Sequence, residues 1–110
     1  MKNQDIKTLI EETQSESPKM RKAALLQLCP CHVRNNVEVV WDRILEMSQD
    51  VDAGVRSIVL HNLCDGSPNS RQDEVIQAVE QLANDADLKI RRRARRALAV
   101  YRRTGIINTE

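Results

Sequence analysis

Apolar residues recur at helical spacing along most of the chain. Val37, Val40, Trp41, Ile44, Leu45 and Met47 fall on one helix face, and Val75, Ile76, Val79 and Leu82 on another. Met20, Ala24 and Leu28 stand at i, i+4 and i+8, the stripe of a further helix. Ser17 before Pro18 reads as an N-cap followed by proline at the first helical position. Asp52 and Asp87 hold the same place ahead of two more apolar stripes, with side chains able to accept from free first-turn N–H groups. Helices are predicted near residues 3–14, 18–29, 36–49, 53–64, 71–84 and 88–103. Pro30, Gly66 and Pro68 punctuate the loops at 30–35 and 65–70.

The pattern repeats. An offset of 35 residues superposes the chain on itself twice without a gap. Arg21, Arg56 and Arg91 align, as do Leu28, Leu63 and Leu98. Apolar columns follow at Met20, Val55 and Ile90, at Ala24, Val59 and Ala94, at Leu9, Ile44 and Val79, and at Ile6, Trp41 and Ile76. Each unit reads as two helices, and a helix pair this small cannot bury its apolar stripe alone. Stacking about three pairs closes a continuous core. The prediction is an all-α chain forming one domain over 1–110, with repeats at about 1–35, 36–70 and 71–105. Its architecture would be a short right-handed α-solenoid.

Two stretches carry a resemblance. Asp50-Val-Asp52-Ala-Gly-Val55-Arg56 and Asp85-Ala-Asp87-Leu-Lys-Ile90-Arg91, with the alanine and leucine columns after them, resemble the signature of HEAT repeats. They look most like the short bacterial type found also in phycobilisome-lyase-like proteins. The resemblance covers nearly the whole chain and is specific for fold, not for function. It implies that Asp50, Asp52, Asp85, Asp87, Arg56 and Arg91, and Arg21 with them, bond between neighbouring units. The first unit departs from the pattern, with Ser15 and Ser17 in place of the aspartates and a polar first helix. That suits an N-terminal capping repeat.

Composition removes other classes. Aromatics make up 2% of the chain, too few for a typical β-sandwich or for a base-stacking platform. Three glycines and three prolines are too few for the turns of a small all-β fold. No run approaches the ~18 apolar residues of a membrane span, and the opening Met-Lys-Asn-Gln-Asp leads into no apolar signal region. A cytoplasmic protein without a membrane partner is expected. Three cysteines, an odd number, then read as reduced thiols rather than a disulfide framework.

The net charge of +1 conceals a segregation. The three first helices hold three basic and nine acidic residues, and the three second helices hold twelve basic and no acidic residue. Residues 89–110 alone sum to +7. In a HEAT-like solenoid the second helices line the concave surface, which should therefore be positive. Helical phase turns Lys22, Leu26, Cys29, Ser57, His61, Cys64, Arg92, Arg96 and Ala99 away from the core, with Arg103 further along. Lys22, His61, Arg92, Arg96 and Arg103 are the candidate partner-binding residues. A plain solvated face is the competing reading. Helix-end preferences account for Arg102 and Arg103, but not for Arg91-Arg92-Arg93 at the unfavourable end of the helix dipole.

Other chemistry is thin. Cys29, Cys31, His32, His61 and Cys64 offer five candidate zinc ligands, but their spacing matches no standard zinc pattern. Helices about 8–10 Å apart do not by themselves converge four ligands. Thiols closing helices are expected instead, with no metal and no cofactor. A cysteine nucleophile would need an oriented histidine in a pocket. Trp41 sits in an apolar column and reads as core, and no phosphate-cradling glycine loop exists. The expected function is a non-enzymatic protein-interaction module, monomeric or weakly self-associating, whose basic groove holds an acidic peptide or protein. The alternatives are a nucleic-acid-backbone binder and, through the phycobilisome branch alone, a lyase- or chaperone-like role. Near-neutral net charge disfavours the first of these.

Overall fold

A computed structural model describes residues 3–30, 33 and 37–110. Among the described residues all regular structure is helical, without a β-strand. The helices are α1 (Asn3–Glu12), α2 (Pro18–Gln27), α3 (Glu38–Glu46), α4 (Ala53–Leu63), α5 (Gln72–Leu82) and α6 (Leu88–Thr104). None is long and apolar enough to cross a membrane.

The starts of the even-numbered helices have a local chemical cause. Ser17 Oγ accepts from the Met20 N–H at 3.4 Å, Asp52 Oδ2 from Val55 at 2.9 Å and Asp87 Oδ1 from Ile90 at 3.0 Å. Each bond satisfies a first-turn N–H that has no partner within its helix. Neither α3 nor α5 has a side-chain cap. The helix expected over 36–49 is shorter: α3 ends at Glu46 and tightens into a 3-10 turn, Met47–Gln49. Ser48 Oγ donates to the Leu45 carbonyl at 2.8 Å there, competing with the regular helical ladder. Residue 36 lies outside the described residues. A second 3-10 turn, Asn69–Arg71, delays α5 to Gln72.

Helices pack as pairs, α1 on α2, α3 on α4 and α5 on α6. The odd-numbered helices also touch in succession, as do the even-numbered ones. Leu28, Leu63 and Leu98 are buried between them, with Ala24, Val59, Ala94, Leu9, Ile44, Val79 and Trp41. One apolar column breaks. Val55 and Ile90 are buried, but Met20 is 49% exposed. Val55 and Ile90 sit on helices that pack against the preceding even-numbered helix; among the described residues none precedes α2.

At the far end, Gly105 takes a left-handed conformation, φ 75°, that a side chain would strain. Its N–H donates to the Tyr101 carbonyl at 2.7 Å and stops α6 sharply. The last residues then return across the loop after α4. Ile107 is buried, Asn108 bonds Gly66 and Ser67, and the Glu110 N–H donates to the Cys64 carbonyl at 2.9 Å.

Candidate functional site

Two junctions join the even-numbered helices, and each carries an arginine–aspartate fork. Arg21 donates to Asp50 from Nε at 3.0 Å and Nη2 at 2.9 Å; Arg56 donates to Asp85 from Nε at 2.8 Å and Nη2 at 3.0 Å. Both forks span 29 residues, so a unit's arginine meets the aspartate of the next unit. Bonds of this two-pronged kind between charged groups are short and directional. The Arg56 guanidinium holds the Asp85 carboxyl below the usual carboxylate range. For Asp50, burial acts upward, but the Arg21 fork and the Asp52 N–H outweigh it and the net direction is down. Asp52 and Asp87 cap their own helices instead of bridging units. Arg91 donates to the Asp85 carbonyl at 3.0 Å.

The basic residues of α6 fall into two groups. Arg91, Arg93 and Arg95 are occupied: Arg95 Nε donates to the Ala83 carbonyl, and Arg93 to Ser57 Oγ and the Glu110 carboxylate. Arg92, Arg96 and Arg103 are exposed and hold no hydrogen bond or ion pair among the described residues. Positions 92, 96, 99 and 103 lie within about 60° of one another around a helix, so these three arginines share one stripe with Ala99. Beside it, a cleft of about 400 Å³ is lined by Arg93, Arg96, Ala97, Val100, Thr109 and Glu110.

Lys22 is partly buried and leans on Gly54, where an added Cβ would meet its Nζ at 3.1 Å. His61 is turned into its own protein. Its Nδ1 lies 3.2 Å from Glu110 Oε1, and its Nε2 lies 3.6 Å from Cys29 Sγ and 3.7 Å from Asp65 Oδ2. Cys29 and Cys64, expected to face away from the core, are both buried. Each lies just past the end of its helix, where other segments cover it: Cys29 against His61 and Asp65, Cys64 with its carbonyl bonded by the returning tail. Burial, then the nearby Glu110 charge, pushes the Cys64 thiol up to about 12. Of the five candidate zinc ligands, the structure brings Cys29 and His61 together and leaves Cys64 apart. Cys31 and His32 lie outside the described residues.

Three residues at these sites carry no repeat signal and are not among the candidate site residues of the sequence. Asp65 is a loop residue, Glu110 belongs to the tail, and Arg93 stands in a column otherwise holding Ala23 and Ile58. A charge in an otherwise apolar column is the signal that could have marked Arg93.

Comparison with protein-family models, curated proteins and solved structures finds no match to this chain.

Proposed function

We propose that this chain is a three-repeat, right-handed HEAT-like solenoid in the cytoplasm, acting as a non-enzymatic interaction module for an acidic peptide or protein. The recurrence of the Arg–Asp fork at one 35-residue offset, with contacts running in succession along both sets of helices, supports the architecture. The observation that carries the function is the Glu110 carboxylate. It is held by Arg93 Nη2 at 2.9 and 3.2 Å beside the arginine-lined cleft, so this face already takes a carboxylate from its own chain. The stripe of Arg92, Arg96 and Arg103 next to it makes no hydrogen bond or ion pair among the described residues. Arginine's planar fork suits carboxylates, and its charge survives at any physiological pH.

The test is titration of a labelled glutamate-rich peptide. Arg92→Glu with Arg96→Glu should weaken binding tenfold or more while leaving the circular-dichroism spectrum unchanged. Reversing Glu46 and Glu80 on the odd-numbered helices should change affinity less than about twofold, since exposed charges distant from a ligand act mainly through a screened field. Equal loss from both pairs, or no binding by the wild type, defeats the reading. Duplex DNA bound more tightly than the peptide, with a steep fall in affinity as salt rises, would point to the nucleic-acid alternative.

A further inference from the structure

Cys29, His61 and Asp65 come together from two units. Cys29 ends the segment after α2, His61 lies in the last turn of α4, and Asp65 follows α4 in the loop. Their ligand atoms all lie within 4.8 Å of one another. The Cys29 thiol donates to Asp65 Oδ2 at 3.1 Å, and His61 Nε2 stands 3.6 Å from the sulfur and 3.7 Å from the same carboxylate oxygen.

These separations have a metric meaning. Zinc bonds of about 2.3 Å to sulfur and about 2.0–2.1 Å to nitrogen and oxygen, at tetrahedral angles, set the ligand atoms about 3.6 Å (S to N), about 3.5 Å (S to O) and about 3.3 Å (N to O) apart. The observed edges of 3.6, 3.1 and 3.7 Å depart from that triangle by about 0.4 Å at most. Small side-chain rotations cover the difference.

The surroundings suit a cation. Glu110 Oε1 lies 3.2 Å from His61 Nδ1 and is itself gripped by Arg93. With the Nδ1 hydrogen pointed at that carboxylate, Nε2 presents its lone pair to the space between Cys29 and Asp65. A carboxylate behind a histidine is the usual device for fixing the orientation of a metal-bound imidazole. The sulfur is buried, while the His61 and Asp65 side chains are 38% and 22% exposed, which leaves an entry path for the ion.

We propose that Cys29, His61 and Asp65 form a zinc site, with Glu110 orienting His61. Sulfur, imidazole and carboxylate at tetrahedral edges select Zn²⁺ over the harder cations Mg²⁺ and Ca²⁺, which take all-oxygen shells. Binding exchanges one proton for the ion: the Cys29 S–H proton now shared with Asp65 passes to solvent, and the sulfur binds as thiolate. Thiolate and Asp65 carboxylate then balance the two charges of the metal. The site ties α2 to the loop after α4, so it stabilises the contact between the first two units.

The test is Co²⁺ titration, with Zn²⁺ competition, of protein stripped by chelator under reducing conditions. The wild type should bind one ion per chain, displaced by Zn²⁺, and zinc should raise its melting temperature. Asp65→Asn, a loop change that keeps an acceptor for Cys29, and Cys29→Ser should each weaken binding more than tenfold. Glu110→Gln should weaken it about tenfold, the scale of lost outer-shell partners. Cys64→Ser, checked by circular dichroism, should bind as the wild type does. Absence of saturable one-to-one binding, or unchanged affinity in a folded Asp65→Asn, overturns the site. Loss of binding in a folded Cys64→Ser overturns the ligand assignment.

Discussion

The junction of α2 with α4 and the junction of α4 with α6 share one frame and differ in what the frame carries. Both have the Arg–Asp fork, Arg21 to Asp50 and Arg56 to Asp85, at the same sequence separation. Both have a buried cysteine at the end of the leading helix, Cys29 and Cys64. At the first junction Cys29 meets His61 and Asp65, 32 and 36 residues on. The corresponding positions for Cys64 are Arg96 and Val100, which offer no metal ligand. Asn62 Nδ2 also donates to the Leu25 carbonyl across the first junction, and its counterpart at the second is Ala97. The second junction is instead closed by the tail, through Asn108 and Glu110. The frame recurs at one 35-residue offset, and the distinctive chemistry sits where the two junctions differ.

The largest effect expected is on the shared frame. Leu63 is fully buried on α4, the helix common to both junctions. Leu63→Ala should cost about 2–5 kcal/mol in denaturant unfolding, the range for buried leucine truncation. An unchanged midpoint would mean that the junctions are not coupled through α4.

Next comes the tail. Asn108 Oδ1 accepts from the Gly66 and Ser67 N–H groups at 2.7 and 2.8 Å. Asn108→Ala leaves both donors without that partner, at about 1–3 kcal/mol. Amide exchange should rise around residues 66–67 and 106–110 and stay flat near Arg21 and Asp50. A uniform rise along the chain would erase the distinction between the junctions.

The forks should respond to acid alike. Asp50 and Asp85 carry folded-state pKa values below their ordinary ones, so each fork contributes stability above the unfolded carboxylate range, about pH 4. That contribution is lost as pH falls through the lowered folded value. The stability gap between wild type and Arg56→Gln should therefore be full at pH 7 and narrow steadily below about pH 4, with the same trend for Arg21→Gln. A gap independent of pH would remove the ion pairs from the account.

Smallest is the surface. Arg92→Glu with Arg96→Glu should shift unfolding free energy by no more than about 0.5 kcal/mol each, because both side chains are exposed and neither has a partner among the described residues. A large loss would make that stripe part of the fold.

The helical content was legible because each helix carries its own signal: an apolar stripe, and for α2, α4 and α6 a Ser or Asp whose bond to the first turn is local. What sequence reasoning misplaced depends on neighbours. Met20 belongs to an apolar column by spacing, but its burial would require a preceding helix. Cys29 and Cys64 were read by phase as outward-facing, whereas the next segment folds over each. In the structure Cys29 meets His61 and Asp65, 32 and 36 residues on, and Asp65 sits in a loop that carries no apolar periodicity to mark it. The tail has no periodicity at all, so nothing in its pattern announces that Glu110 reaches His61 and Arg93.

The most direct measurement of the difference between the junctions is X-ray absorption at the zinc edge on the zinc-loaded protein. The account predicts one sulfur at about 2.3 Å among nitrogen and oxygen neighbours near 2.0 Å. That sulfur should vanish in Cys29→Ser and persist in Cys64→Ser. A shell without sulfur in the wild type, or a sulfur that survives in Cys29→Ser and is lost in Cys64→Ser, would contradict it.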